Sequence, residues 1–286
     1  MSNTLSSPRA RWLIPAALAL LALSVMPTAS GCRCVARAVI NDEREEQLGA
    51  SVDSSMRRSN RMLSDTHAVS VWAADFVDTL VEASRPFRAP DGFGGYKVAV
   101  IDDDGLINAF AAPGGFVYLT TGFLLEVSSC DELAGVVGHE LAHVTQRHGI
   151  NAIADRIAVV GSLAVVGGLI GVNIPIDLAS ALISNSFSRK QEAEADRVGA
   201  RIAHQAGYSP HGVLDFFDGL SEGNGSHPRA LTFLSTHPHP ANRSSQLRAY
   251  IQEHLPGAPG PDAERPDSCP PELKHLTEIQ DLLRGR

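Results

Sequence analysis

One stretch constrains this chain more than any other: Gly138-His139-Glu140-Leu141-Ala142-His143, continuing through Val144-Thr145-Gln146-Arg147-His148-Gly149. An α-helix turns by about 100° per residue, so His139 and His143 project from one face, one turn apart. Two imidazoles placed this way converge on one point, as a tetrahedral zinc site requires. Glu140 lies beside that point and can take a proton from a water held there. The flanking residues predict the helix itself. Ser129 or Asp131 can cap its start, and Asp131, Glu132 and Glu140 put negative charge in its N-terminal half. Leu133, Val136, Val137, Leu141 and Val144 recur at helical spacing, and Gly149 supplies a stop after Arg147 and His148. The competing reading is a buried amphipathic helix with two incidental histidines.

A two-histidine zinc site needs a third protein ligand. Leu178 to Gln205 reads as another long helix, carrying Ser188-Arg189-Lys190-Gln191-Glu192-Ala193-Glu194-Ala195-Asp196-Arg197-Val198-Gly199-Ala200. Glu192 and Asp196, four apart, share one face of it, and Glu194 points elsewhere. Catalytic zinc commonly takes a glutamate from a following helix, which makes Glu192 the candidate ligand. Asp196, one turn on, is placed to accept the outer N–H of a ligand histidine. Without the histidines, a solvated charged face would be the better reading of these acids.

The rest of the chain sets the context. Arg9 and Arg11, the apolar run Trp12 to Val25 and the small residues Thr28 to Gly31 read as a lipoprotein-type signal over 1–31, with Cys32 as the lipidated residue. Ordinary secretion or an uncleaved anchor are the alternatives, and all three export the domain. Residues 32–42 form a tether. In an oxidising compartment Cys130 and Cys269 could bridge, stapling the C-terminal tail near the start of the motif helix, although Cys34 could pair with either. Asn41 to Ser84 reads as helix in two or three pieces, with Val69, Trp72, Ala73, Phe76, Leu80 and Val81 as a core stripe. Pro86 to Gly95 is a break. Tyr96–Ile101, Leu106–Ala111 and Phe116–Thr120 are strand candidates, and Asp102-Asp103-Asp104-Gly105 reads as a solvated turn rather than a calcium loop. A strand just before the motif helix could pair with an extended substrate backbone. Ile150 to Ile157 continues as helix. The apolar, glycine-rich 158–176 run is too short and interrupted for an independent membrane span, and reads as a mobile or membrane-facing cover, or else a buried hairpin. Pro256 to Pro271 is linker, and Leu273 to Leu283 a short amphipathic helix. A net charge of −8 without a dominant basic cluster argues against nucleic acid as a partner.

Taken together, G-H-E-L-A-H-V-T-Q-R-H from Gly138 and Glu192-x-x-x-Asp196 resemble the M48 family of zinc metallopeptidases. Asn108 to Tyr118 is similar to that family's strand ahead of the helix, and Ser235-Thr236-His237-Pro238 through Arg243 to its T-H-P-x-x-x-x-R segment. The resemblance runs over about residues 43 to 250. It implies an α+β, mostly helical fold: a zincin-type (minigluzincin) catalytic domain, over 43–254, with a small β-sheet beside the H-E-x-x-H helix. It implies one Zn2+ on His139, His143 and Glu192, Glu140 as general base, Asp196 orienting a ligand, and a substrate strand around Asn108 and Ala109. It further implies that His237, with His239 as a near competitor, can approach the zinc and hold the enzyme latent. Arg243 then stabilises the oxyanion or anchors its loop.

The expected activity is endopeptidase cleavage of envelope proteins, misfolded or misassembled ones above all, on the periplasmic side of the outer membrane. No tetratricopeptide-like repeat is found, and 255–286 departs from the family core. The rival reading is a chaperone-like envelope assembly factor with a mostly latent zinc site. A zinc hydrolase of non-peptide bonds is a third.

Overall fold

The computed structural model describes residues 40–153, 187–222, 237, 241–258, 269 and 275–286. The leader with Cys32 and Cys34, the 158–176 run, His239 and most of the linker lie outside the described residues. Two helices open the described chain, α1 (Asp42–Ser59) and α2 (Ala68–Ser84). Asn41 caps α1 by accepting the Arg44 N–H at 3.0 Å, next to acids in its first turn, where the helix dipole favours them. On α2, Trp72, Ala73, Phe76, Val77, Leu80 and Val81 are buried as one stripe.

The sheet has three strands, β1 (Lys97–Ile101), β2 (Ala109–Ala112) and β3 (Phe116–Thr120), in the order β1-β3-β2. β1 runs parallel to β3, and β2 pairs with β3 antiparallel, Ala111 opposite Val117. β2 starts three residues later than hydropathy suggests. Leu106 and Asn108 give their carbonyls to the Thr120 hydroxyl, which holds the chain short of the ladder. The aspartate turn is occupied by protein donors: Asp103 accepts the Gly105 N–H, Asp104 accepts the Thr121 hydroxyl, and Asp102 pairs with Arg61 and Arg286. A short helix, α3 (Thr121–Glu126), then leads to the motif helix α4 (Cys130–Thr145).

Ser129, not Asp131, caps α4, accepting the Glu132 N–H at 3.2 Å; Asp131 instead accepts the Ser209 N–H at 2.7 Å. Gly149 is not the stop. The helix ends at Thr145, and Arg147 takes the turn at φ +56°. That left-handed conformation is costly for a side chain bearing a Cβ. It is held by an ion pair with Glu45 at 2.8 Å and a hydrogen bond to the Ile40 carbonyl. Helix resumes from His148 to Ile153, with Gly149 inside it.

The second motif helix, α5 (Arg189–Gln205), also differs from expectation. It does not run unbroken from Leu178, because Phe187 and Ser188 are not helical and Ser188 forms a capping box with Gln191. α4 and α5 pack closely, and glycines permit it. A Cβ on Gly138 would lie 2.9 Å from the Gly199 carbonyl oxygen, and one on Gly199 would lie 2.7 Å from the His139 nitrogen. α6 (Gly212–Glu222) and α7 (Ala241–His254) complete the surround of α4 and α5, and α8 (Leu276–Arg284) docks beside α2 and α3. The Gln280 amide donates to the Leu124 and Val127 carbonyls, and Cys130 is bridged to Cys269, 139 residues away in sequence. By loop-closure entropy such a bridge is worth on the order of 3–5 kcal/mol. Among the described residues no helix is long and apolar enough to cross a membrane.

Candidate metal centre

Once α4 and α5 are in contact, the spacing read from the sequence becomes a three-dimensional cluster. His139, His143, Glu192 and His237 each bring one ligand atom, all within 4.8 Å of one another, and all four residues are buried. The Nε2 atoms of His139 and His143 are 3.0 Å apart. Glu192 places Oε2 3.5 Å from the first and Oε1 3.5 Å from the second. Donors about 2.0–2.2 Å from a tetrahedral zinc stand roughly 3.3 Å from each other, so these separations fit that ion.

The charge balance makes the same point. Glu140, Glu192 and Asp196 are each at most 3% exposed. The guanidinium of Arg243, 4% exposed, faces two of them: 2.5 Å and 2.8 Å to Asp196, 2.9 Å to Glu192. With the imidazoles neutral, as metal ligands must be, three buried carboxylates face one buried cation. Unpaired buried charge is expensive, and a divalent cation would close the deficit.

Each carboxylate has a distinct post. Asp196 Oδ1 lies 3.0 Å from His139 Nδ1, on the far side of the ring from the cluster. Glu140 receives the Ala111 N–H on Oε2 at 3.0 Å, and its Oε1 lies 3.2 Å from His237 Nε2. The outer strand β2 therefore meets the site at Ala111, two residues beyond the Asn108–Ala109 pair singled out by sequence. His237 fills the middle, its Nδ1 3.2 Å from Glu192 Oε1 and 3.3 Å from His139 Nε2. Arg243, bound to both carboxylates, has the contacts of an anchor.

Titration follows from these contacts. Burial alone would lower the His139 pKa, but Asp196 and Glu192 raise it to about 9. Burial would lift Glu192 and Asp196; hydrogen bonds from His139 and, respectively, His237 and Arg243 hold both below the usual carboxylate range. Glu140 is pushed up by burial, and the nearby histidines offset only part of that. His143 goes well below its ordinary value through burial and the charge of His139.

Two residues at the site receive no site role from the sequence. His148 stands with Nδ1 3.0 Å from His143 Nδ1, and Phe187 stacks on the His143 ring at 4.0 Å between centroids. His148 follows His143 by five residues, off the three-or-four spacing of a helix face, and reaches it only because Arg147 breaks the helix. The S-x-x-Q capping signal at Ser188 was available in the sequence and would have placed Phe187 just outside α5.

A gluzincin-type arrangement of two helices is thus on hand, with H-E-x-x-H on one and a glutamate on the next. Residues 72–251 match the model of Peptidase family M48, and the chain belongs to that family. It is 31% identical over 227 residues to the Beta-barrel assembly-enhancing protease of Escherichia coli (strain K12), covering 74% of this chain and 45% of that protein. It is 29% identical over 198 residues to the Mitochondrial metalloendopeptidase OMA1 of Schizosaccharomyces pombe, covering 68% and 56%. To the Metalloprotease LoiP of Escherichia coli it is 31% identical over 162 residues, covering 54% and 61%. The match thus spans 45% to 61% of the length of these curated relatives.

Proposed function

We propose that this chain is a zinc-dependent endopeptidase of the bacterial cell envelope. The observation that carries the reading is the buried convergence of His139, His143 and Glu192 with Glu140 beside them. These three side chains would hold the ion. Zinc, when bound, supplies a Lewis acid that polarises the scissile carbonyl and brings the pKa of a water toward about 7. Glu140 takes the proton of the attacking water and passes it to the leaving amine. Its Oε2 is fixed by the Ala111 N–H, which leaves Oε1 to do this, and burial raises its basicity. Asp196 holds the His139 ring in register through Nδ1, and Arg243 balances Asp196 and Glu192. An extended substrate would lie along the outer side of β2, which starts at Ala109 beside Asn108 and reaches Glu140 at Ala111.

His237 lies between Glu140 and Glu192, within reach of both carboxylates. In our reading it is a fourth donor that keeps the centre latent and withdraws on activation. The catalytic domain is residues 43–254, with 255–286 stapled to it through Cys130 and Cys269.

The substrates we infer are misfolded or misassembled envelope proteins. The bacterial relative named for β-barrel assembly supports this, as does the lipoprotein-type leader with Cys32, which would anchor the domain at the periplasmic face of the outer membrane. The buried His237 favours one rival, a chaperone-like assembly factor whose zinc site stays latent. The two are separated by comparing envelope proteins in deletion cells carrying wild type or Glu140→Gln. A peptidase predicts a substrate that accumulates on the variant and no complementation, whereas full complementation by Glu140→Gln would establish the chaperone.

A further inference from the structure

With Nε2 turned toward the cluster, His143 keeps its proton on Nδ1 and must donate it. The atom it meets is His148 Nδ1, at 3.0 Å. A nitrogen that accepts there carries its own proton on the opposite side, at Nε2, and that side faces Glu194 Oε2 at 3.5 Å. His148 is 1% exposed, and the Glu194 side chain is 42% exposed. Two further contacts hold this arrangement. The Gln191 amide donates to the His148 carbonyl at 3.3 Å, tying the post-motif turn to the first turn of α5. Phe187 stacks on the His143 ring, so the imidazole has one face closed and one edge hydrogen-bonded.

We propose that His148 and Glu194 form a positioning relay for His143, in which His148 fixes the tautomer and ring angle of that ligand and Glu194 fixes His148. This rests on the metal reading of the site, and does not depend on which bond the enzyme cleaves. Both residues act through His143 and touch neither substrate nor metal. The relay is the counterpart, at the second histidine, of the Asp196 contact at the first. Outer partners of ligand histidines set metal affinity because they hold the ring where the metal needs it.

The test is zinc release to a competing chelator from the full chain, with thermal unfolding of the zinc-free protein measured alongside. His148→Leu keeps bulk but cannot accept the N–H, and is expected to weaken zinc retention by about 10- to 100-fold. His148→Asn places a carbonyl oxygen near the Nδ1 position and is expected to recover affinity to within roughly fivefold of wild type. Glu194→Gln, at the surface, is expected to cost roughly threefold. A Leu variant within twofold of wild type overturns the relay, as does an Asn variant as weak as Leu, since packing would then explain both. If the Leu variant does not fold, Glu194→Gln decides alone, and unchanged affinity there overturns the proposal. A wild-type chain that binds no zinc refutes the metal reading itself, whereas a zinc-binding chain indifferent to these substitutions refutes only the relay.

Discussion

Behind His139 the chain places an anion and then a cation; behind His143 it places a second imidazole and then a glutamate near the surface. Asp196 and Arg243 are 3% and 4% exposed and come from α5 and α7, so the first support ties three helices together through buried charge. The second is almost local, lying in the turn after α4 and reaching only the first part of α5. The same task, holding a ring by its outer nitrogen, is done with ionic strength on one side and with tautomer geometry on the other. Charge-assisted hydrogen bonds are roughly twice as strong as neutral ones. The ionic side should therefore dominate stability, whereas zinc affinity should suffer most when either ring loses its direct partner and least at the outlying Glu194.

The largest effect should come from breaking the ionic side at its cation. Arg243→Leu leaves Glu192 and Asp196 buried without their guanidinium, which costs about 3–5 kcal/mol by analogy with broken buried pairs. Denaturant unfolding of the zinc-free protein should show the full loss, with zinc restoring part of it by replacing positive charge. A loss below about 1 kcal/mol would mean that the pair is already hydrated.

Next comes Asp196→Asn, which keeps the shape and removes the anion behind His139. Zinc affinity should fall by about 10- to 100-fold, well beyond the change at Glu194. Equal losses at the two positions would erase the distinction between the supports. Gly199→Ala acts on both supports at once, because its Cβ would stand 2.7 Å from the His139 backbone. Parting α4 from α5 should cost roughly 1–2 kcal/mol, seen as a lower Tm, and should weaken zinc binding as Glu192 moves away.

The smallest effect serves as a control away from both histidines. Burial, reinforced by Glu132 and other acids, lifts the Asp215 pKa to about 6. A raised carboxyl pKa means that the folded state holds the proton more tightly. The associated stability is present below the unfolded value near 3.8 and is lost as pH rises through about 6. Asp215→Asn should therefore raise stability at pH 7 by no more than about 1 kcal/mol after discounting for solvent screening. At pH 3, below the unfolded value, it should do almost nothing, and zinc affinity at pH 7 should stay unchanged.

Much of this arrangement is legible in the sequence because one helix carries most of it. Spacing alone puts His139 and His143 on one face, and chemistry asks for an acid such as Glu192. What the sequence concealed depends on breaks and on packing distance. Gly149 is the residue that favours a left-handed turn, yet Arg147 adopts it, because Glu45 and the Ile40 carbonyl, about a hundred residues upstream, hold its side chain there. Once the helix breaks at that point, His148 swings to His143 from a position that helical periodicity assigns to another face. Glu194, correctly turned away from the ligand face of α5, meets His148 for the same reason. Hydropathy extended α5 back to Leu178, because an apolar run does not announce where Ser188 caps it. The register of β2, and hence the contact of Ala111 with Glu140, is set by the Thr120 hydroxyl across the sheet and has no local signature.

The central claim is that a buried glutamate beside a two-histidine, one-glutamate zinc centre cleaves peptide bonds. It is tested most directly by purified wild type and Glu140→Gln, loaded with equal zinc, on an unfolded protein substrate. Each is assayed with His237 in place and again as His237→Ala, so that latency does not mask the result. Loss of general-base catalysis should lower kcat/KM by about 100- to 10,000-fold with zinc content unchanged, and His237→Ala should raise the wild-type rate. Cleavage by Glu140→Gln at the wild-type rate would contradict the account.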